Sequence, residues 1–474
     1  VYVPDGYELA TKGGTRITIT GENFGPLGLA SSAIGVKYAR GLSQMDLRSS
    51  PPGIVAVSCN VTRAHSEISC FGAPGIGTFL DFWVYNLAGS YSNALAGNAT
   101  LGTVVSYEPP TLSNVEIADV NVGLTVSALP TKGNTRVKII GNHFGPTCTA
   151  AAFEASLSRV TYGPLSATGY TSSACAVTKD DTEITCSTAP GTGVNHTWQV
   201  TRGDQTSLVS TQPGVFKTSY AAPSLLSVSG QSINSAETQG GLRITILGSN
   251  LGDSVKNALL GTENVRIRYG APNTDRTGWY FCTDIAMVAA SNAVSCIMAS
   301  GVGGALSLSL SVDGQMSNVL ENAVSYGPPV IISFSGPGSS AANTSGSELV
   351  IIQGRNFGPA GAEHIDAVRY GRNVNGQTQW LDAAACTVMQ SHYTLHCHTV
   401  KGGGRNLKWK VTIADQNSTS PTTNYAPPSI DSVVSGGAGN LALVAKGGEP
   451  ILIHGSNFGP VGSEILDAVT FGPQ

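Results

Sequence analysis

Charge is scarce in this chain. Asp, Glu, Lys and Arg make up 12% of its 474 residues, about half the ~25% of an ordinary soluble protein. A surface wetted with so few ions is built from neutral hydroxyl and amide groups, which suits secreted or wall material that carries sugar. The 26 Lys and Arg are scattered without a basic block and face 30 Asp and Glu, so the phosphate-neutralising stripe of a nucleic-acid binder is missing. No apolar run is long enough to cross a bilayer as a helix, and helical periodicity is nearly absent. The Gly-x-Ser-x-Gly elbow, the Walker loop, His-Glu-x-x-His and the EF-hand loop are missing as well. The expectation is therefore no catalytic residue, no metal, no cofactor and no enzyme. Val1 is not an initiator methionine and the last repeat stops at Phe471-Gly472, so the chain reads as an excerpt of something longer.

What the chain has is repetition. Gly21-Glu-Asn-Phe-Gly25, Gly141-Asn-His-Phe-Gly145, Gly248-Ser-Asn-Leu-Gly252, Gly354-Arg-Asn-Phe-Gly358 and Gly455-Ser-Asn-Phe-Gly459 each close an apolar-alternating run. They recur about every 100 to 120 residues, far beyond the length of a solenoid unit, so each copy can hold its own core. The copies are stitched by Tyr107-Glu-Pro-Pro110, Tyr220-Ala-Ala-Pro223, Tyr326-Gly-Pro-Pro329 and Tyr425-Ala-Pro-Pro428. Proline fixes its own φ and pushes its predecessor into an extended conformation, so these joints are short and stiff. Five segments result: 1–108, lacking its first strand, then 109–221, 222–327, 328–426, and 427–474, which holds only an N-terminal half.

Within a segment the pattern is all-β. Ile17 and Ile19, Val137 and Ile139, and Ile244 and Ile246 share one face at period two, as half-buried strands require. The glycine motif that follows breaks the strand, because glycine and Asn tolerate left-handed geometry and the aromatic can fold back onto the core. A Val-x-Tyr strand follows, as in Val160-Thr-Tyr-Gly163, then a hairpin framed by cysteines. Eight of the nine cysteines form local pairs: Cys59/Cys70, Cys175/Cys186, Cys282/Cys296 and Cys386/Cys397. A strand, a polar tip and a strand between partners bring the two Cα atoms within disulfide range, which places the chain in an oxidising compartment. Zinc would want two close pairs in one site, and these cysteines are well separated with one pair per segment. Cys148 has no counterpart in the other copies and reads as a buried free thiol or as half of a bond to another chain. About seven short strands per segment is the pattern of an immunoglobulin-like sandwich, strung here in tandem like beads.

The Pro-Pro-x-Ile-x-x-Val opening, the Gly-x-Asn-Phe-Gly core, the Val-x-Tyr-Gly strand and the cysteine hairpin together resemble the IPT/TIG domain. This is the immunoglobulin-like module of plexins, Met-type receptors and fibrocystin-like proteins. The resemblance implies a sandwich that binds proteins, stacks in rods or, in Rel-type transcription factors, touches DNA; the acidic balance and the disulfides remove the last option.

The densest polar cluster is His392-Tyr-Thr-Leu-His-Cys-His398, where His396 and His398 share a strand face. Ordinary polar residues fill the same slots elsewhere, so a solvated hairpin face is the expectation. Asp180, Asp181 and Asp313 read as turn residues, as do the glycines of Gly402-Gly-Gly-Arg405. Sequons stand at Asn60, Asn98, Asn195, Asn343 and Asn417, in hairpins, segment ends and joints that suit N-glycosylation. Ser49-Ser-Pro-Pro52 and Ser420-Pro421 suit O-linked sugar or hydroxyproline glycans. Ile140, Leu247, Ile351 and Leu452 occupy outward strand positions, either as edge packing against a neighbouring loop or as a contact surface. The expected function is structural: an extracellular, secreted or surface-bound glycoprotein rod that assembles into a filament, appendage or wall layer. Its expected partners are other copies of itself, other extracellular proteins and covalent glycans, with no nucleic acid and no membrane insertion. The alternative is a receptor or adhesion ectodomain that binds a protein or glycan ligand.

Overall fold

Alternation along each strand sets the cores. In Arg136–Asn142 the side chains of Val137 and Ile139 are buried while Arg136 and Asn142 face solvent, and Ile17 and Ile19, Ile244 and Ile246, and Val350 and Ile352 repeat the arrangement. The computed structural model describes residues 8–29, 33–40, 53–86, 90–92, 105–119, 123–147, 159–164, 169–209, 217–254, 264–272, 278–374, 376–435, 443, 445–462 and 465–472. Over these the protein is a series of antiparallel sheets, apart from the parallel pair Glu8–Leu9 with Ser106–Tyr107, and a 3-10 turn at Pro337–Ser339. Every pairing between named strands joins strands of the same segment. The architecture is tandem immunoglobulin-like β-sandwiches.

The chain divides into two compact units. The first holds Val1–Pro223 with Asn250–Asn264 and Val312–Gln315; the second holds Ser224–Ser249, Val265–Ser311 and Met316–Gln474. In the first unit, residues 109–221 form two four-stranded sheets. One runs in the order Ser173–Lys179, Glu183–Ser187, Arg136–Asn142 and Thr111–Ile117; the other runs Tyr170–Thr171, Arg159–Gly163, Thr197–Arg202 and Gln205–Thr206. That is eight strands where about seven were expected, because the edge pairs are two residues long. Their facing sides enclose Val137, Ile139, Phe144, Tyr162, Ile184 and Trp198. In the second unit, Val330–Ser335, Leu349–Arg355, Thr394–His398 and Ala384–Gln390 form one sheet of the fourth segment. Its other sheet is Gln377–Asp382, Ile365–Val374, Leu407–Ile413 and Gln416–Asn417, with Thr422–Thr423 on the third of these. In the fifth segment Ser429–Ser435 pairs with Ile451–Ser456.

Disulfides close each cysteine hairpin. Cys59–Cys70, Cys175–Cys186, Cys282–Cys296 and Cys386–Cys397 are bonded, with Cα atoms 4.1 to 5.7 Å apart. Each links the first hairpin strand, or for Cys282 the residue just before it, to the strand that pairs with the Ile-x-Ile or equivalent run. Cys148 lies outside the described residues.

The glycine motif has a separate job at each position. A Cβ on Gly141 would lie 1.9 Å from the carbonyl oxygen of Thr111 and 2.6 Å from the Phe144 ring, and on Gly354 2.1 Å from that of Val330. The first glycine thus lets the opening strand and the aromatic close on the backbone from two sides, at a bulge between Ile140 and Gly141. The third residue sits in left-handed geometry, with φ of 64° at His143 and 63° at Asn356. Its side chain reaches the proline joint of its own segment: His143 Nδ1 to the Pro109 oxygen at 3.1 Å, Asn250 to Ala222 at 3.4 Å, Asn356 to Pro328 at 3.2 Å and Asn457 to Pro427 at 3.4 Å.

Each core is closed by a pair of tyrosines. The amide of Ala189 donates to Tyr162 Oη at 2.9 Å, the two hydroxyls of Tyr162 and Tyr220 lie 2.6 Å apart, and Tyr220 Oη donates back to the Ala189 carbonyl at 2.7 Å. The same loop of three bonds joins Tyr38 and Tyr107 to Ala73, Tyr269 and Tyr326 to Ala299, and Tyr370 and Tyr425 to Val400. Two buried hydroxyls and a peptide group satisfy one another, so burial leaves none of them without a partner.

Burial is also what raises these tyrosines above their ordinary pKa. It pushes Tyr162 up to about 12 against the hydrogen bond from Tyr220, and lifts Tyr107, Tyr220, Tyr326 and Tyr425 further. The folded chain therefore keeps protons that the unfolded chain gives up near pH 10, so this contribution to stability is intact below about pH 10 and declines above it. In a spectrophotometric titration at 295 nm, the eight paired tyrosines of the 15 in the chain should ionise only as the β circular dichroism is lost. Ionisation of all 15 near pH 10 with the fold intact would contradict the paired geometry.

Candidate functional site at the joints between segments

The linker tyrosine is bonded at three polar groups. Its hydroxyl is in the loop just described, and its amide donates to a glycine of its own segment: Tyr107 to Gly77, Tyr220 to Gly193 and Tyr326 to Gly303, each at 2.9 Å. Its carbonyl faces the next segment. There Gln205 Nε2 donates to the Tyr107 oxygen at 2.5 Å, Gln315 to Tyr220 at 3.0 Å and Gln416 to Tyr326 at 2.8 Å. Each glutamine stands in a tight turn, Gly203-Asp204-Gln205, Asp313-Gly314-Gln315 or Ala414-Asp415-Gln416, with left-handed residues at Gly203, Asp204, Asp313, Gly314, Ala414 and Asp415.

Beside each glutamine bond a small side chain plugs the following segment. Ile76, Thr192 and Val302 lie against Gly145, Gly252 and Gly358, the last residue of the glycine motif. A Cβ on those glycines would fall 2.4 Å from Ile76 Cγ2, 3.0 Å from Thr192 Cγ2 and 2.5 Å from Val302 Cγ1, and their φ angles are +77°, +84° and +81°. The glycine is fixed both by its backbone and by the neighbour it admits. Val302 belongs to the buried cluster of the fourth segment although it stands in the third.

Hairpin tips make a third contact. The Asp181 carboxylate accepts the hydroxyl of Thr11, which is buried. His392 Nδ1 lies 2.9 Å from Thr238 Oγ1, its Nε2 lies 3.5 Å from Ser300 Oγ, and Tyr393 Oη donates to Gln239 Oε1 at 3.0 Å. Burial, and then the neighbouring His364, hold the His392 imidazole below its ordinary pKa. This corrects the expectation of a solvated tip: His392 and Asp181 face the preceding segment. Asp313 is likewise a turn residue with a partner, since its carboxylate takes the Thr192 hydroxyl.

The other expected positions fall elsewhere. Asp180 accepts the amide of Thr147 at 2.6 Å, and its hydrogen bonds with Thr147 hold its carboxyl below the usual range. His396 and His398 alternate with buried Leu395 and Cys397 on one strand, half-buried, and no group of three or more His, Cys, Asp or Glu able to hold a metal occurs among the described residues. The sequon residues Asn60, Asn195, Asn343 and Asn417 are exposed; Asn98 and Ser49-Ser-Pro-Pro52 lie outside the described residues. The outward aliphatics do not form one column. Ile140 and Leu247 stand one residue before the motif glycine, Ile351 and Leu452 three before it, and only Leu247 at 40% and Leu452 at 55% are exposed.

Sequence reasoning passed over the three glutamines and the plugs Ile76, Thr192 and Val302. The glutamine had a usable signal, a fixed place just after the turn in three copies. The plug had none, since Ile, Thr and Val share neither polarity nor shape.

A family model decides what one of these segments is. The IPT/TIG domain model matches residues 226–326, which is the third segment. The third segment is an IPT/TIG domain. The tyrosine loop, the bonded cysteine hairpin and the motif contacts carry the same domain plan into the chain's other segments. No curated protein matches the chain significantly. Solved structures similar to it include the plexin A4 full extracellular region, at 13% identity and a TM-score of 0.19, covering 97% of this chain and 43% of that one. The FN1–FN3 domains of chicken CNTN1 match at 10% identity and 0.21, over 67% and 100%. The surface glycan-binding protein PbSGBP-B from Prevotella bryantii matches at 10% and 0.29, over 68% and 96%. The chain thus spans well under half of the plexin ectodomain, and likeness at this level says nothing about partners or activity. The IPT/TIG domain of the third segment and the four disulfides make this an extracellular type of protein.

Gln416→Ala should test a joint directly. It removes one hydrogen bond, about 1 kcal/mol, from the contact onto Tyr326, so cleavage at 326–329 in limited proteolysis should quicken while the circular dichroism stays unchanged. Cleavage at the wild-type rate would show that this bond does not hold the joint.

Proposed function

We propose that the protein is an extracellular structural glycoprotein, a rod of IPT/TIG domains divided as 1–108, 109–221, 222–327, 328–426 and 427–474, that assembles into a filament, surface appendage or wall layer. The observation that carries this reading is the joint. One glutamine bond and one plug recur at three successive boundaries, each beside one or two prolines, so each segment constrains the next by the same contacts. A receptor that presents a single domain to a ligand has no need of identical joints, whereas a spacer or load-bearing element does. Few charges and many hydroxyls suit a surface coated by glycans at Asn60, Asn98, Asn195, Asn343 and Asn417, which would be kept apart from solvent ions by sugar. Partners under this reading are other copies of the chain or neighbouring extracellular proteins.

Negative-stain images of the purified protein should show straight particles of uniform length that join into longer fibres at high concentration. Isolated, freely bent monomers at every concentration would remove the filament. Separately, intact-glycopeptide mass spectrometry of protein from its natural source should find sugar on the sequon asparagines, and bare asparagine at all five would contradict the glycoprotein assignment.

A further inference from the structure

The fourth segment departs from the others in charge. Residues 328–426 hold seven Lys and Arg against five Asp and Glu in a chain of net charge −4, and no other segment has an excess of bases. Much of this charge falls on one sheet face. In Leu407–Ile413 the buried residues are Leu407, Trp409, Val411 and Ile413, which turns Lys408 and Lys410 outward. In Ile365–Val374, Val368 and Tyr370 are buried and Arg369 is outward; in Gln377–Asp382, Leu381 packs on the core and Trp380 is 40% exposed.

Register puts these side chains in two rows. Trp380 pairs with Gly371, and Gly371 with Lys408. Gly371 contributes no side chain to the row and is itself buried, and a Cβ there would lie 2.1 Å from the Gln379 carbonyl oxygen, so backbone closes in between indole and ammonium. The next row is Asp382, Arg369 and Lys410. Like charges directly opposite each other are unfavourable, and Asp382 answers one of them, its carboxylate 2.6 Å from Arg369 Nε. At the edge of this face Arg372, Arg405 and Lys408 line a cleft of about 870 Å³ with Tyr425 and Phe458. Arg372 has a carboxylate at long range, Asp467 at 3.9 Å.

We propose that this face binds a carboxylated polysaccharide, a chain of uronic acid residues. The indole offers a flat apolar surface for a sugar ring, no side chain at Gly371 intrudes between it and Lys408, and Lys408 and Lys410 stand where ring carboxylates would follow. The face already shows this chemistry once, in the Arg369 to Asp382 pair. The proposal does not depend on the rod, since it concerns one segment's outer surface.

The test is affinity electrophoresis of the full chain in gels containing polygalacturonate, with methylcellulose and dextran sulfate as comparison gels. Polygalacturonate should retard the wild type at low salt and release it as salt rises, while methylcellulose leaves it unretarded and dextran sulfate retards it less. Trp380→Ala should weaken retardation about tenfold, as expected for loss of an aromatic contact of about 1.4 kcal/mol, and Trp380→Phe should keep most of it. The pair Lys408→Ala with Lys410→Ala should abolish the salt dependence. No retardation, stronger retardation by dextran sulfate, equal retardation by methylcellulose, or wild-type retardation of Trp380→Ala would each overturn the proposal. Thermal unfolding of each variant separates lost binding from lost fold, and should Trp380→Ala unfold, the Lys408 and Lys410 pair decides.

Discussion

The linker tyrosine is the interaction on which the rest depends. Its hydroxyl completes a loop inside one sandwich, its amide ties it to a glycine of the same segment, and its carbonyl receives a glutamine from the next. Core and joint therefore share one residue. A segment that loosened its core would release the tyrosine and with it the acceptor for its neighbour. In the other direction, a joint held by glutamine keeps the hydroxyl seated. Coupling of this kind needs no large interface, because the linking group is already immobilised by its own fold before the neighbour arrives. The entropy of ordering it has been met once for two purposes.

Glycine in the repeated motif has the same double character. The first glycine is required by the closeness of a strand of its own segment, the last by the plug of the segment before. Between them the Asn or His turns back onto the proline joint, and the aromatic or Leu fills the core: Phe144, Leu251 and Phe357 are all buried. Five residues thus specify a bulge, a cap on the joint, a core anchor and a socket. Proline alone would leave the linker stiff but free to swing about its ends. The cap and socket remove that freedom at the boundaries where both are present.

Much of this was legible in the sequence, and the limits have physical causes. Period-two runs such as Arg136-Val-Lys-Ile-Ile140 show their buried face directly, and the cysteine hairpins show their closure, because both signals lie within a few residues. The glycine motif was readable as a strand break but not as a socket, since what occupies it stands in the segment before. Gln205, Gln315 and Gln416 were passed over because a polar residue after a turn is normally a solvated one. His392 was read as a free tip for the same reason. Composition tells how a hairpin ends, and only the neighbouring segment tells whether that end meets water. The outward aliphatics failed differently: Ile140 and Ile351 share a face yet differ by two positions in register, and in a strand two positions separate distinct neighbours.

Low charge acquires a reason from the joints. Their contacts are amide to carbonyl, hydroxyl to carboxylate or imidazole, and methyl against glycine, and the ion pair at the Tyr107 joint, His143 Nε2 to Glu108 at 3.3 Å, carries two full charges only when the imidazole is protonated. Hydrogen bonds with at most one charged partner depend little on ionic strength, whereas exposed ion pairs weaken as it rises. A protein outside the cell meets salt that it does not control, and joints built this way keep their geometry through such changes. Charge is then available for contacts that are meant to respond to the surroundings. Its concentration on the outer face of the fourth segment follows that division: hydrogen bonds and packing hold the joints, while Lys408 and Lys410 turn outward beside Arg369 and Arg372, which already have carboxylate partners.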